Sequence, residues 1–179
     1  FPGLIKAYFT LFTSSEFIPS LAAKNDLKTL YLNISFKNFQ KIQEKRSLAL
    51  QEGRLFSSNE DFVRASIGSE QSILPCKIRL KGDLSDHWEG SKWSFRVNMK
   101  DDSKVLGMSR FSLQDPVTRL NTNEWLFLET LRSEDLLAVR YEFVNLVING
   151  KPMGVYSMEE HFSKEFIEAN QRRTGLVVG

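Results

Sequence analysis

From Leu74 to Lys100 the chain alternates. Cys76, Ile78 and Leu80 fall on one face of an extended run, and Lys77, Arg79 and Lys81 fall on the other. In the run Lys92–Lys100, residues Trp93, Phe95, Val97 and Met99 share a face, opposite Lys92, Ser94, Arg96 and Asn98. A period of two over this length predicts half-buried antiparallel strands. Pairing them sets cations against cations on one surface, which is unfavourable unless an anion intervenes. That anion is either Asp83, Asp86 or Glu89 from the loop between the runs, or a ligand phosphate. A plain solvated outer face is the third alternative. Gly82 and Gly90 bracket the loop and permit tight turns and close approach by a ligand. Trp88 reads either as a ligand-stacking surface or as core. Trp93, in register with Phe95, reads as core.

The 179 residues suffice for one domain with a real core. Hydrophobic residues at 41% and charged residues at 26% are ordinary for a globular protein. Fourteen Phe predict an aromatic-rich core. A net charge of +2 and a pI of about 8.7 argue against a nucleic-acid protein, which would carry a dense basic cluster. The single cysteine, Cys76, excludes an intrachain disulfide and cannot build a zinc cluster alone. On the apolar face of a strand it is expected to be a buried, inert thiol.

No run approaches the roughly 20 apolar residues that span a bilayer. The apolar start Phe1–Phe12 lacks the charged region and cleavage site of a signal peptide. The chain begins without Met and stops at Val178-Gly179, so both ends read as cuts within a longer protein. Residues 1–26 read as an apolar N-terminal extension, with a short helix over 4–13, and residues 27–179 as the domain proper.

Within that domain Leu30, Leu32, Ile34 and Phe36 alternate and predict a strand. A helix follows over Asn38–Glu52, with Asn38 as N-cap and Gly53 just past its end. Asp61–Ile67 predicts a strand that turns at Gly68–Gln71 into the Leu74–Lys81 strand. Arg110–Gln114 is a short extended piece with Phe111 and Leu113 inward. A second helix covers Asn123–Glu134, with Trp125, Phe127, Leu128 and Leu131 as its apolar stripe. Phe143–Asn149 and Gly154–Met158 form a hairpin around Asn149-Gly150, a strong turn dipeptide. Ser163–Arg172 closes the domain as a helix. The expected fold is α+β, a mainly antiparallel sheet with flanking helices.

The chain has no Gly-x-Gly-x-x-Gly or Walker loop and no readable Ser-His-Asp arrangement. Asp83-x-x-Asp86-His87 carries metal-ligand residue types, but loop carboxylates beside glycine more often cap turns. Glu159-Glu160-His161 either favours the N-terminus of the following helix or serves a site directly.

Several motifs, in order, carry a family resemblance. They are Arg79-Leu80-Lys81-Gly82-Asp83-x-x-Asp86-His87, Lys92-Trp93-Ser94-Phe95-Arg96 and Gly107–Gln114. Asn123-Glu124-Trp125, Arg140-Tyr141-x-Phe143, Asn149-Gly150 and Gly154–Phe162 follow. Over about residues 27–179 the chain resembles the CotH-like family of spore-coat protein kinases. The resemblance implies a domain like the small lobe of a divergent protein kinase. It also implies ATP and Mg2+ as cofactors, and secreted or envelope proteins as substrates. Bacterial envelope or secreted localisation is implied too, with possible membrane attachment through a segment preceding Phe1. Lys92 matches the phosphate-contacting lysine, although Trp93 replaces the second basic residue of many members. Arg96 and Lys81 are further phosphate candidates. Glu124 or Glu129 would pair with the lysine, and Glu159 and Glu160 would lie along the nucleotide cleft. The family's catalytic aspartates and metal ligands lie past Gly179, so the chain is expected to be inactive as given. A non-catalytic envelope or assembly module is the alternative, and a carbohydrate or small-anion binder a third.

Overall fold

The computed structural model describes residues 27–171. Among them are seven strands: β1 (Thr29–Ile34), β2 (Val63–Ser69), β3 (Ser72–Leu80), β4 (Phe95–Met99), β5 (Arg110–Gln114), β6 (Tyr141–Ile148) and β7 (Lys151–Glu160). They close into a barrel in the order β1-β2-β3-β4-β5-β7-β6. Every pairing is antiparallel except β1 with β6, which is parallel and closes the ring.

Alternation in each strand sends one set of side chains inward. Leu32, Ile67, Ile78, Val97, Phe111, Leu113, Val144, Leu146, Tyr156 and Met158 fill the interior and are almost wholly buried. Cys76 joins them, and burial pushes its thiol up to about 12, so it stays an unreactive apolar filler.

Asn149 fixes the closing seam. The Asn149-Gly150 turn, with φ of 48° and 82°, joins β6 to β7 in the positive-φ region that tight hairpin turns require. The Asn149 side-chain carbonyl also accepts from Ile34 N at 2.7 Å, and its own N–H donates to Leu32 O at 2.9 Å. The turn thereby holds both the hairpin and the first strand.

Three helices accompany the barrel among the described residues: α1 (Phe36–Glu52), α2 (Asn123–Ser133) and α3 (Lys164–Ala169). α1 packs on β2 and β3 through Ile42 and Ala49, and Gly53 ends it at φ 69°. Its N-cap is Ser35 rather than Asn38, whose amide donates to Arg64 O. Phe36 opens the helix largely exposed instead of ending the strand. β4 starts at Phe95, so Lys92–Ser94 form the loop before it. None of these helices is long and apolar enough to cross a membrane.

The expected α+β arrangement, a mainly antiparallel sheet with flanking helices like a kinase small lobe, is overturned by this closure. β1 pairs with β2 on one side and β6 on the other, so the strands form a closed mixed ring without an edge. The helix predicted over 4–13 lies outside the described residues.

Candidate functional site

β3, β4, β5, β7 and β6 lie side by side, and their register draws a line across the outer surface. The line runs Arg79, Arg96, Ser112, Glu159, Tyr141. Beside it, at the end of β3, stands Lys81, whose N–H donates to Ser94 O at 2.9 Å. The Lys81 ammonium donates to Gln114 Oε1 at 2.8 Å and to Glu159 Oε2 at 3.2 Å. Gln114 Nε2 donates to the same carboxylate oxygen at 3.1 Å, so the three side chains hold one another.

This face is drier than an ordinary outer surface. Ser112, Gln114 and Ser157 point away from the interior yet are buried. The 3-10 turn Pro116–Arg119 packs against β7, and α2 packs against β6. Burial therefore lowers the Lys81 pKa, with Glu159 pulling it back up. Glu124, in the first turn of α2, pairs with Arg119 at 3.1 Å. Burial, then the nearby charge of Glu159, holds its carboxyl above the usual range.

Arg79 and Arg96 are half-buried and face each other across β3 and β4. Neither makes an ion pair among the described residues. Arg79 Nη1 donates to Leu80 O at 3.0 Å, and its guanidinium lies 5.3 Å from the Phe62 ring. The Nε atoms of both arginines are buried without a hydrogen-bond partner. Desolvation lowers both pKa values, and for Arg96 the charge of Arg79 is the next cause.

The structure thus brings together Lys81, Arg96, Glu124 and Glu159 of the residues predicted from sequence. It places the others elsewhere. Lys92 donates to Val155 O at 3.0 Å, lies 3.7 Å from Asp115 Oδ1 and sits 5.6 Å from the Tyr156 ring. Glu129 pairs with Arg132 on its own helix. Glu160 is almost buried and is gripped by Arg140, whose Nε reaches Oε2 at 2.9 Å and whose Nη2 reaches Oε1 at 2.5 Å. Gln114, Arg79 and Arg119 were not among the predicted site residues. Only the strand register shows that Gln114 stands between Lys81 and Glu159.

The loop between β3 and β4 is packed rather than open. Trp88 is fully buried, and its Nε1 donates to Gly82 O at 3.0 Å, which overturns the ligand-stacking reading. Arg46 of α1 donates to Trp88 O and Glu89 O and stacks 4.8 Å from the Trp93 ring, which lies parallel to Phe39. Gly82 has φ 96°, and a Cβ there would lie 2.2 Å from the His87 ring, so that ring already fills the approach a ligand would need. A depression of about 460 Å³ on α1, lined by Gln40, Gln43, Glu44, Ser47 and Leu48, belongs to the surface of one helix and stands apart from this cluster.

Half-buried guanidinium donors without an ion pair, beside a fixed ammonium, fit an oxyanion such as a phosphate. A metal ion is not fitted in the same way: no group of three or more His, Cys, Asp or Glu among the described residues is placed to hold one. No curated protein matches the chain. The family model of the CotH kinase protein matches residues 78–177. That span starts inside β3 and includes every residue of the cationic line and of the Lys81 cluster. It covers more than half of the 179 residues, and on that match the chain belongs to the CotH kinase protein family.

Proposed function

We propose that this chain is the nucleotide-binding part of a CotH-like atypical protein kinase that phosphorylates secreted or envelope proteins. The reading places the ATP phosphates on the face formed by Lys81 and Arg96. One observation carries it: the Lys81 ammonium is fixed by Gln114 and Glu159 in a half-dry setting, with the unpaired Arg96 guanidinium in the adjacent line. Phosphoryl transfer relies mainly on positioning and charge neutralisation, so a cation already held in place costs little to reorganise. ATP, when bound, supplies the transferred phosphoryl group. In this scheme Glu159 orients Lys81, and Gln114 fixes both. Burial and Glu159 hold the Glu124 carboxyl above its usual range, and its pairing with Arg119 opposes that rise. No role is assigned to Mg2+ on these residues.

Calorimetric titration of the full chain with ATP and with adenosine tests this reading. ATP is expected to bind at least about tenfold more tightly than adenosine, with the difference lost in Lys81→Met. Equal binding of the two ligands contradicts it.

A second reading, a non-catalytic envelope or assembly module, is favoured by one observation. Val117, Leu120, Phe127 and Leu136, all between β5 and β6, are large apolar side chains left exposed. An absence of ATP binding together with concentration-dependent self-association would favour it.

A further inference from the structure

We infer that Arg79 and Arg96 form a two-guanidinium clamp for a single phosphate-class oxyanion on the outer face of the barrel. The inference deepens the nucleotide reading and rests on it for the source of the phosphate.

The two residues are direct partners in the β3–β4 register. Opposed like charges on neighbouring strands destabilise a sheet unless something neutralises them. The surrounding anions are engaged elsewhere. Glu159 serves Lys81 at 3.2 Å, and Glu124 serves Arg119 at 3.1 Å. Asp61 serves Lys45 at 3.0 Å, and Asp83 lies 3.5 Å from Arg54. These pairs leave the two guanidiniums without an ion pair of their own in a partly dry surface, with Asp61 and Asp83 acting on Arg79, and Glu159 on Arg96, only from a distance.

Donors are left over as well, although Arg79 Nη1 reaches Leu80 O at 3.0 Å. The Arg96 side chain makes no hydrogen bond among the described residues, and its Nε, like that of Arg79, is buried without an acceptor. A guanidinium presents five N–H groups in a fixed fork. One carboxylate satisfies one fork with its two oxygens. A tetrahedral phosphate has enough acceptor oxygens to serve two forks from different sides. Phe62 backs the Arg79 guanidinium at 5.3 Å and restricts where that fork can turn. The clamp is therefore matched to a phosphate rather than to a carboxylate or a neutral sugar.

The test titrates the full chain with pyrophosphate and with ATP at low salt, comparing wild type, Arg79→Gln, Arg96→Gln and Arg96→Lys. Each glutamine variant is expected to weaken both ligands about tenfold or more, and Arg96→Lys to recover only part of the loss. Melting in phosphate-free buffer gives an independent readout. Arg96→Gln is expected to melt no lower than wild type, because it relieves the repulsion. Arginine-dependent binding of pyrophosphate without binding of ATP supports the clamp for free phosphate and sinks the nucleotide reading. Undiminished ATP binding in Arg79→Gln, with binding weakened in Arg96→Gln, overturns the clamp while leaving the nucleotide reading intact. A markedly lower Tm for Arg96→Gln also overturns it, because the arginines would then be structural.

Discussion

Lys81 and Glu159 stand 78 residues apart in sequence, yet the Lys81 ammonium lies 3.2 Å from Glu159 Oε2. The side chains are only 13% and 20% exposed, so each charge depends on the other. Removing the carboxylate strands an ammonium in a partly dry site. Glu159→Gln is expected to destabilise the fold by about 2 kcal/mol, given the residual exposure. Lys81→Met combined with Glu159→Gln should cost less than the sum of the single changes. Urea unfolding of the four proteins measures this, and strict additivity would show that the pair is not coupled.

Gly82→Ala is expected to be among the more damaging small substitutions. The added Cβ would lie 2.2 Å from the His87 ring, and φ 96° is strained for any L side chain. The same turn carries the Gly82 carbonyl that accepts from buried Trp88. A loss of about 2 kcal/mol is expected, with a change in Trp fluorescence. Gly90→Ala, where a Cβ meets open space, serves as the control and should cost far less.

Asn149→Ala should loosen the barrel at its parallel seam. It removes the acceptor for Ile34 N and places alanine at φ 48°. The expected loss is about 2 kcal/mol. Hydrogen exchange locates it: the Ile34 amide should lose protection in the variant while amides in β3 and β4 keep theirs.

His87 sets an acid limit. Its pKa lies below the ordinary 6.5, chiefly through burial, with Asp86 opposing and Lys81 and Arg119 adding to the shift. A depressed folded-state pKa favours the neutral ring in the fold. Its contribution is therefore complete above pH 6.5 and is lost as pH falls through the folded value. Stability in urea should be level just above pH 6.5 and decline just below it. His161 is also held low, by partial burial and by Arg96 and Arg110, but much of its side chain meets solvent and it should move the profile less. A profile flat from pH 7 to pH 5 would contradict this assignment.

The strands were legible because they alternate. The Arg79/Lys81 and Phe95/Val97 patterns, the Asn149-Gly150 turn and the inward Phe111 and Leu113 all correspond to observed elements. The closure was not legible. Alternation in Leu30, Leu32 and Ile34 predicts a strand with one buried face but says nothing of its neighbour, and the decisive partner, β6, lies more than a hundred residues on. The site divides in the same way. Cations on one face of β3 and β4 can be read from periodicity, whereas the meeting of Lys81 with Gln114 and Glu159 depends on the registers of two further strands, β5 and β7. The motif lysine, Lys92, precedes the strand and turns to Asp115 and Val155, a direction its sequence neighbours do not encode.

The most direct measurement is covalent labelling of the full chain with an ATP acyl-phosphate probe, which acylates lysines next to bound phosphates, followed by peptide mapping. Acylation is expected at Lys81, and excess ATP should suppress it. Labelling confined to other lysines, or labelling of Lys81 that ATP leaves unchanged, would contradict it.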